Sequence, residues 1–286
     1  MQNNKKRRTT LIGYGNVGKR LKDLLSRNNI SIDHIVRSTG IYDVKGDKID
    51  EKDNFCKYID EDTVVFISLP SVGDGSDILN YYLKSLEQGV GVVTCEKAVL
   101  ANNWELMKKY KNKIKYSATV GGDSGILDAI SDYKGNINEI KAVVNGTLNY
   151  ISEKLLEGKN VKDIYEDVTK HGFAEPGSNS FEEVIKNELQ DVVYKTVILA
   201  NHSSLCDKII SPIDIEIEPY KNTGRCAVII KKNFIKAGFQ NFKDSFWFPS
   251  GVNNVLSING IKVAEGLGSG GKITARKMFK DYLELL

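Results

Sequence analysis

Short apolar runs alternate with segments of helical periodicity along the first part of the chain. The run TVVFISL is almost continuously apolar, which is typical of a parallel strand that is buried on both faces. The predicted strands are Thr9–Gly13, Ile30–Arg37, Thr63–Leu69, Gly91–Thr94 and Ile114–Val120, and the predicted helices between them are Lys19–Ser26, Ser76–Gln88 and Val99–Lys111. Strands that alternate with helices in this way predict an α/β domain with a doubly wound parallel sheet and right-handed crossovers.

The pattern changes after Gly122, where strands and helices no longer alternate. The predicted strands here are Glu139–Val144, Cys226–Lys231, Asp244–Phe248 and Val255–Lys262, and the predicted helices are Thr147–Leu156, Val161–Lys170 and the second half of His171–Asn201. A glycine-rich loop and a last helix, Thr274–Leu286, end the chain. We therefore expect one domain at residues 1–125 and 265–286, and a second, α+β domain at residues 126–264 inserted before the C-terminal helix.

The long predicted helix within His171–Asn201 carries two charges inside its apolar stripe. Asp191 and Lys195 lie four residues apart among valines, so they share one helix face. An exposed pair would contribute only a few tenths of a kcal/mol, whereas burying a lysine costs several unless something compensates. The sequence leaves both interpretations open. A buried pair would indicate a site, because a desolvated lysine has a lowered pKa that suits acid–base chemistry near pH 7.

A glycine-rich turn follows the first predicted strand. The letters GYGNVG complete a G-x-G-x-x-G pattern between that strand and an amphipathic helix, with Gly13, Gly15 and Gly18 at the three glycine positions. In a dinucleotide site these positions allow a tight turn, a close approach of the pyrophosphate to the backbone, and packing of the helix on the strand. The helix N-terminus then faces the phosphates. This context favours a Rossmann-type site over a structural turn, with the predicted contacts Gly13, Tyr14, Gly15, Asn16, Val17 and Gly18.

The end of the second predicted strand normally reads the adenine ribose. An acidic residue there suits the 2′-hydroxyl of NAD, and an arginine suits the 2′-phosphate of NADP. This chain has Arg37 and Ser38 there and no carboxylate, which favours NADP and leaves NAD open, the alternative being a solvated arginine. Ligands bind beyond the carboxyl ends of such strands. The same cleft is therefore predicted to contain Leu69, Pro70, Ser71, Glu96 and Lys97.

Composition narrows the functional classes without selecting one. The chain has 286 residues and a nearly balanced charge, 40 basic against 37 acidic, so nothing demands a nucleic-acid or membrane partner. Its four cysteines are scattered without zinc-ligand spacing and are interpreted as reduced thiols of a cytoplasmic protein. No apolar run approaches the ~18–20 residues of a membrane span.

Several ordered motifs together resemble the homoserine dehydrogenase family over nearly the whole chain. They are GYGNVG at residues 13–18, TCEK at 94–97, ATVGG at 118–122, VNGTLNYI at 144–151, GFAE at 172–175, DVVYK at 191–195 and GLGSGGKITA at 266–275. The resemblance implies an NAD(P)-dependent oxidoreductase that interconverts L-homoserine and L-aspartate 4-semialdehyde, in the biosynthesis of threonine, methionine and isoleucine. It also implies a homodimer or homotetramer built through the second domain.

The resemblance also implies roles for individual residues. Lys195 would donate or accept the proton and Lys97 would stabilise the developing alkoxide, although spacing leaves open which lysine carries the proton. The implied substrate contacts are Glu175, Asp191, Gly146 and Thr147, and the implied cofactor contacts near the C-terminus are Gly270 and Thr274.

Two departures from the family pattern affect these expectations. Lys186 stands where relatives have an aspartate, so Glu182, Glu183 or Glu188 would have to replace one substrate contact, and Glu188 is included in the predicted site. Ser117 stands where relatives have a glutamate that helps to bind a monovalent cation. The carbonyl groups of Val120 and Gly122 would then bind Na⁺ or K⁺ only weakly.

Two other classes of protein stay open. A semialdehyde dehydrogenase would acylate a cysteine, and Cys95 lies in the right region, but such an enzyme needs a base beside the thiol. A non-catalytic NADP-binding regulatory protein is the second alternative, because of the altered substrate loop. The last predicted helix ends with the chain, so we expect a short form of the family without an appended regulatory domain.

Overall fold

The computed structural model describes residues 7–173, 178–242, 247–268 and 270–286. The strands, numbered in chain order, are β1 Arg8–Ile12, β2 His34–Arg37, β3 Gly40–Tyr42, β4 Lys48–Asp50, β5 Thr63–Ile67, β6 Gly91–Thr94, β7 Ile114–Lys115, β8 Glu139–Val143, β9 Glu216–Glu218, β10 Arg225–Lys231, β11 Phe234–Gln240, β12 Asn253–Ile258 and β13 Ile261–Leu267. The α-helices are α1 Asn16–Arg27, α2 Ser76–Glu87, α3 Ala98–Asn102, α4 Trp104–Lys108, α5 Ile126–Asp132, α6 Gly146–Leu156, α7 Val161–Lys170, α8 Phe181–Ser203 and α9 Gly271–Leu283.

The chain divides into two compact units. The first runs to Thr119 and takes in Gly270–Leu286, and the second runs from Val120 to the residue before Gly270. Within the described ranges, no helix combines the length and the apolar character needed to cross a membrane.

The first unit is built on a seven-stranded sheet in the order β4-β3-β2-β1-β5-β6-β7. The strands from β2 to β7 in this order are parallel to their neighbours, and β3 and β4 extend one edge in antiparallel fashion. Every residue of β5 is buried, as expected for a parallel strand covered on both faces. Helices α1 and α9 pack against each other beside this sheet, with Leu21, Leu25 and Met278 in its core. The predicted Rossmann-type α/β fold is confirmed.

The second unit contains a six-stranded sheet in the order β13-β12-β8-β10-β11-β9. Neighbouring strands are antiparallel, except that β9 runs parallel to β11. Helix α6 packs on β10 and β12, and α8 packs on β11 and on α6. The first residues of α6 lie next to the middle of α8, where Asn145 meets Glu188 and Asp191.

The predicted single strand Val255–Lys262 is wrong, because the chain reverses within it. Strand β12 ends at Ile258 and β13 begins at Ile261, and the two pair in antiparallel fashion. Between them, Asn259 and Gly260 have φ angles of 51° and 82°. Two residues of positive φ form the two-residue turn whose twist suits a hairpin, and Asn-Gly is its favoured sequence.

Other predicted elements differ from the structure at their ends. The strand predicted for Ile114–Val120 ends at Lys115 and is followed by a 3₁₀ turn, Ser117–Thr119. The helix predicted for Val99–Lys111 is interrupted at Asn103, whose φ of −129° lies outside the helical range. Strand β11 was not predicted. The strand predicted for Asp244–Phe248 falls largely outside the described residues, and its last two residues belong to no strand.

Candidate functional site

The three glycines of the turn after β1 have three different environments. Gly13 has a φ of +93°, and a Cβ atom there would lie 2.7 Å from the carbonyl oxygen of Ser68. A Cβ atom at Gly18 would collide with the carbonyl oxygen of Gly13. At Gly15, by contrast, a Cβ atom would meet nothing within 4 Å. The turn thus needs glycine at positions 13 and 18 for its own geometry. The space beside Gly15 is open, which suits the approach of a pyrophosphate.

The N-terminus of α1 is suited to an anion. The helix follows Gly15, no side chain caps it, and its first turn has no acidic residue. Its N–H groups and the helix dipole therefore favour a negative charge at this end. A Cβ atom at Gly271 would lie 2.8 Å from the side chain of Asn16, so α9 begins directly beside α1. The predicted contacts Gly270 and Thr274 belong to this end of α9, where the Thr274 amide donates to the Gly270 carbonyl.

Arg37 is held between two aromatic rings at the end of β2. Its guanidinium carbon lies 4.6 Å from the ring centre of Tyr14 and 4.3 Å from that of Tyr42. The Nε atom is buried and has no hydrogen-bond partner among the described residues. The ammonium groups of Lys19 and Lys22 lie 5.9 and 5.6 Å from the Tyr14 ring centre. A positioned, partly exposed arginine with two neighbouring cations forms a favourable environment for phosphate. The exposed Ser38 follows it in the turn to β3.

The predicted contacts after β5 and β6 are arranged around the start of α3. The Ser71 hydroxyl accepts a hydrogen bond from the Lys97 amide at 2.7 Å, and the Lys97 side chain is half-buried. Glu96 is fully buried, and its carboxylate accepts from the Ala98 amide at 2.5 Å and the Val99 amide at 3.1 Å. The Glu96 side chain therefore binds the first amides of α3, and its own amide donates to Thr94 Oγ1 at 3.0 Å, so the predicted cofactor contact is engaged within the protein. Leu69 and Pro70 lie in the preceding turn and are partly or fully exposed.

The thiol of Cys95 is poorly suited to nucleophilic catalysis. Burial raises its pKa to about 11, although the nearby Lys97 opposes this shift. The thiolate is the nucleophilic form of cysteine. This cysteine is therefore protonated at neutral pH, which argues against a cysteine-acylating dehydrogenase.

The pair Asp191 and Lys195 is buried in the middle of α8. The Lys195 ammonium lies 2.6 Å from Oδ2 of Asp191, and the two side chains are 9% and 16% exposed. The same ammonium donates a hydrogen bond to the carbonyl oxygen of Val144 at 2.9 Å. Of the two interpretations that the sequence left open, the structure shows the buried pair.

A second carboxylate joins this pair through an asparagine. The side-chain amide of Asn145 donates to Glu188 Oε2 at 2.6 Å and to Asp191 Oδ2 at 2.9 Å. Glu188, Asp191 and Lys195 follow one another three and four residues apart, so they occupy one face of α8. Glu188 is 6% exposed, whereas Glu182 and Glu183 are exposed in the first turn of the helix. The sequence interpretation missed Asn145, although an asparagine directly before a predicted helix is a recognisable N-cap signal.

The residues at the beginning of α6 are engaged in contacts within the protein and expose few polar groups. The Thr147 hydroxyl donates to the carbonyl oxygen of Phe173 at 2.7 Å, so the predicted substrate contact is already engaged with the backbone. A Cβ atom at Gly146 would collide with the carbonyl oxygen of Val252, which explains the glycine there. Glu175, predicted to bind substrate, lies outside the described residues.

The predicted cation contacts lie in a tight turn at the start of the second unit. Val120 is buried, and Gly121 and Gly122 have φ angles of 82° and 54°. A Cβ atom at Gly122 would lie 2.9 Å from the Gly268 carbonyl oxygen, within the same unit. Across the described ranges, no group of three or more histidine, cysteine or acidic side chains is placed to hold a metal ion.

Comparison with known proteins gives one consistent family. The family model described as homoserine dehydrogenase matches residues 127–283, more than half of the chain. The homoserine dehydrogenase of Sulfurisphaera tokodaii is 28% identical over 187 residues, covering 58% of this chain and 60% of that protein. The one of Pyrococcus horikoshii is 25% identical over 228 residues, covering 76% of this chain and 70% of that protein. This chain thus spans less than two thirds of the first relative and somewhat more of the second.

Solved structures agree with the fold along nearly the whole chain. The homoserine dehydrogenase of Thermoplasma acidophilum superposes with a TM-score of 0.74 at 23% identity, covering 98% of each chain. A hyperthermophilic archaeal homoserine dehydrogenase, solved in complex with NADPH, gives a TM-score of 0.75 at 23% identity, covering 97% of this chain and 96% of that one. The fold is shared with these proteins, and the match of the family model shows that the chain belongs to the homoserine dehydrogenase family.

Proposed function

We propose that this protein is an NAD(P)-dependent homoserine dehydrogenase, which interconverts L-homoserine and L-aspartate 4-semialdehyde. The observation that carries the proposal is the buried Asp191–Lys195 pair, which Asn145 links to Glu188 inside the segment matched by the family. Relatives that match this sequence, including the one from Pyrococcus horikoshii, are named homoserine dehydrogenase. The proposed pathway role is the biosynthesis of threonine, methionine and isoleucine.

Lys195 is the proposed proton carrier. A lysine ammonium has three N–H donors, and Asp191 and the Val144 carbonyl accept two of them. We assign the third to the substrate oxygen that is a hydroxyl in homoserine and a carbonyl in the semialdehyde. Proton transfer at that oxygen by a positioned side chain typically contributes about 10²–10⁴-fold in rate.

The two carboxylates on α8 supply the proposed site for the substrate ammonium. The carboxylates of Glu188 and Asp191 both accept hydrogen bonds from the side-chain amide of Asn145. Their paired negative charges attract a cation. Holding the ammonium at one end and the oxygen at the other fixes the orientation of the substrate. We propose Glu175 and the Gly146 amide as further contacts, and residues 126–264 as the substrate domain.

The proposed dinucleotide domain comprises residues 1–125 and 265–286. Open space at Gly15 and the uncapped start of α1 fit a pyrophosphate, and the partly exposed guanidinium of Arg37, held between Tyr14 and Tyr42, fits an additional phosphate. A bound nicotinamide would supply the donor or acceptor of the hydride at the carbon that carries the substrate oxygen. Lys97 is proposed to stabilise the negative charge that develops on that oxygen.

We propose NADP as the preferred cofactor, with NAD as the alternative. A charge-assisted hydrogen bond to phosphate contributes about 1.5–3 kcal/mol, so Arg37→Ala should reduce the preference of NADPH over NADH about tenfold or more. Arg27→Ala, at the other end of α1, is the matched control. Equal affinities of the unmodified protein for both cofactors would refute the role of Arg37.

The function is tested by following absorbance at 340 nm with homoserine and each oxidised cofactor. Reduction that requires homoserine supports the proposal. Cofactor binding without turnover would favour the non-catalytic regulatory protein. A burst of reduced cofactor with an aldehyde, abolished by labelling Cys95, would favour the cysteine-acylating enzyme, which the pKa of that thiol already disfavours.

We further propose a cytoplasmic homodimer or homotetramer, for which large apolar side chains at the sheet edge give support. Ile261 and Leu267 of β13 are 64% and 49% exposed, and Trp247 is 53% exposed. A solution mass of a single 31.9 kDa chain, measured by light scattering, would contradict this. A weak monovalent cation site at Val120 and Gly122 is also proposed, and equal rates in Na⁺, K⁺ and a bulky organic cation would exclude a functional role for it.

A further inference from the structure

Asn145 connects three features of the second unit through one side chain. It precedes α6, and its Oδ1 atom accepts a hydrogen bond from the Leu148 amide at 2.9 Å, which caps the helix. Its Nδ2 atom donates to Glu188 at 2.6 Å and to Asp191 at 2.9 Å. The residue is 4% exposed. Both amide hydrogens of a buried asparagine are therefore used to hold two carboxylates of another helix.

This arrangement has an electrostatic consequence. Two carboxylates that share one donor repel each other, and in a buried site this repulsion is larger than in water. The shared amide favours their charged forms, and so does the Lys195 ammonium beside Asp191. Strand β10 adds Cys226, whose thiol pKa is raised to about 12, mainly by burial and secondly by Glu188. Because that thiol stays neutral, it adds no third negative charge to the two carboxylates.

We propose that Asn145 is a positioning residue that ties Glu188 to Asp191, so that the two carboxylates form one binding site for the ammonium group of an α-amino acid. The bridge also keeps Asp191 in the geometry that holds Lys195. The identity of the ligand rests on the proposed function, whereas the bridging role rests on the hydrogen bonds alone.

The chain contains a matched control for this role. Asn160 precedes α7, its Oδ1 atom accepts from the Asp163 amide at 2.9 Å, and its Nδ2 atom donates to Asp163 Oδ2 at 2.6 Å. It is thus the same residue type with the same cap, but it is exposed and holds a single carboxylate. Serine at either position retains an N-cap oxygen and removes the amide donor.

The experiment compares Asn145→Ser and Asn160→Ser with the unmodified protein. The carboxyl pKa values of Glu188 and Asp191 are measured by ¹³C NMR, together with KM and kcat for homoserine and the Kd of NADPH. In Asn145→Ser we expect at least one of the two carboxyl pKa values to rise by about one unit or more, because its charged form loses a donor. The KM should rise about tenfold or more, since an unmade hydrogen bond to a charged group is costly, with a smaller change in kcat and an unchanged Kd. Asn160→Ser should change none of these quantities.

Unchanged carboxyl pKa values and a KM within about twofold of the original, with only a loss of thermal stability like that of Asn160→Ser, would overturn the proposal. If the unmodified protein neither binds nor oxidises homoserine but the carboxyl pKa values rise in Asn145→Ser, the proposed function fails and the positioning role stands. If Asn145→Ser does not fold, Asn145→Asp keeps the size and the cap and adds a third carboxylate. The same rise in pKa is then expected, and its absence would overturn the proposal.

Discussion

Helices α8 and α9 each contain an ion pair between an aspartate and a lysine four residues apart, and the two pairs are built differently. In α8, the Lys195 ammonium lies 2.6 Å from Asp191, with side chains 9% and 16% exposed, and both partners have further hydrogen bonds. In α9, the Lys277 ammonium lies 3.5 Å from Asp281, with side chains 3% and 0% exposed. The α8 pair is tight and partly accessible, whereas the α9 pair is looser and sealed.

The difference in exposure and hydrogen bonding distinguishes a pair that is placed for chemistry from a pair that belongs to the packed core. Burial raises the pKa of Asp281 to about 6, which the Lys277 charge only partly opposes. Such a carboxylate is costly to keep ionised, and its side chain is fully buried in the first unit. Asp191 and Lys195, by contrast, lie beside Glu188 and are accessible enough to meet a ligand. We therefore propose a catalytic role for the α8 pair and a packing role for the α9 pair.

The largest expected effect on stability comes from removing one partner of the sealed pair. Lys277→Met keeps the volume but removes the positive charge beside the Asp281 carboxylate, and breaking a buried pair in this way typically costs about 3–5 kcal/mol. Urea denaturation followed by circular dichroism measures the loss. A change below about 1 kcal/mol would mean that the pair behaves like a surface salt bridge.

The pH dependence of stability should carry the signature of Asp281. Its folded pKa, about 6, lies above the ordinary value of 3.8, so the folded protein binds more protons than the unfolded chain between these values. The contribution of this group is fully present below pH 3.8 and is lost as the pH rises towards 6. The loss amounts to about 3 kcal/mol at 1.36 kcal/mol per pKa unit.

Asp281→Asn should flatten this part of the profile. The measurement is the free energy of unfolding of both proteins at several pH values across that window. Parallel profiles would show that Asp281 titrates normally in the folded protein.

The smallest expected effect on stability comes from removing both partners together. Replacing a buried ion pair by apolar residues of similar volume is often neutral or stabilising, so Lys277→Met combined with Asp281→Leu should recover most of the loss caused by Lys277→Met alone. Activity per folded molecule should be unchanged. A double variant as unstable as the single one would indicate that the two residues act independently.

The comparison also shows how far sequence reasoning reaches. Alternating strands and helices were enough to predict the doubly wound sheet, and the glycine pattern led to the turn after β1. The spacing of Asp191 and Lys195 predicted that they share a face. The same spacing occurs at Lys277 and Asp281, and spacing alone does not distinguish a pair that meets a ligand from one that is sealed.

Contacts between distant segments account for what the sequence did not reveal. The Asn145 bridge depends on the packing of α6 against α8, because Asn145 and Glu188 lie 43 residues apart in the sequence. Glu96 was predicted as a cofactor contact, but its carboxylate finds the amides of Ala98 and Val99 instead. In both cases the residue type was compatible with several partners, and the tertiary structure selected one.

We propose that Lys195 carries the proton in the oxidation of homoserine, and steady-state kinetics of Lys195→Ala test this role. The Kd of NADPH and the free energy of unfolding are measured on the same samples, with Lys277→Met as the structural counterpart. We expect Lys195→Ala to lower kcat by about 100-fold or more with a nearly unchanged Kd, and Lys277→Met to lose stability and retain kcat per folded molecule. Near-normal turnover of Lys195→Ala on homoserine would show that another group carries the proton.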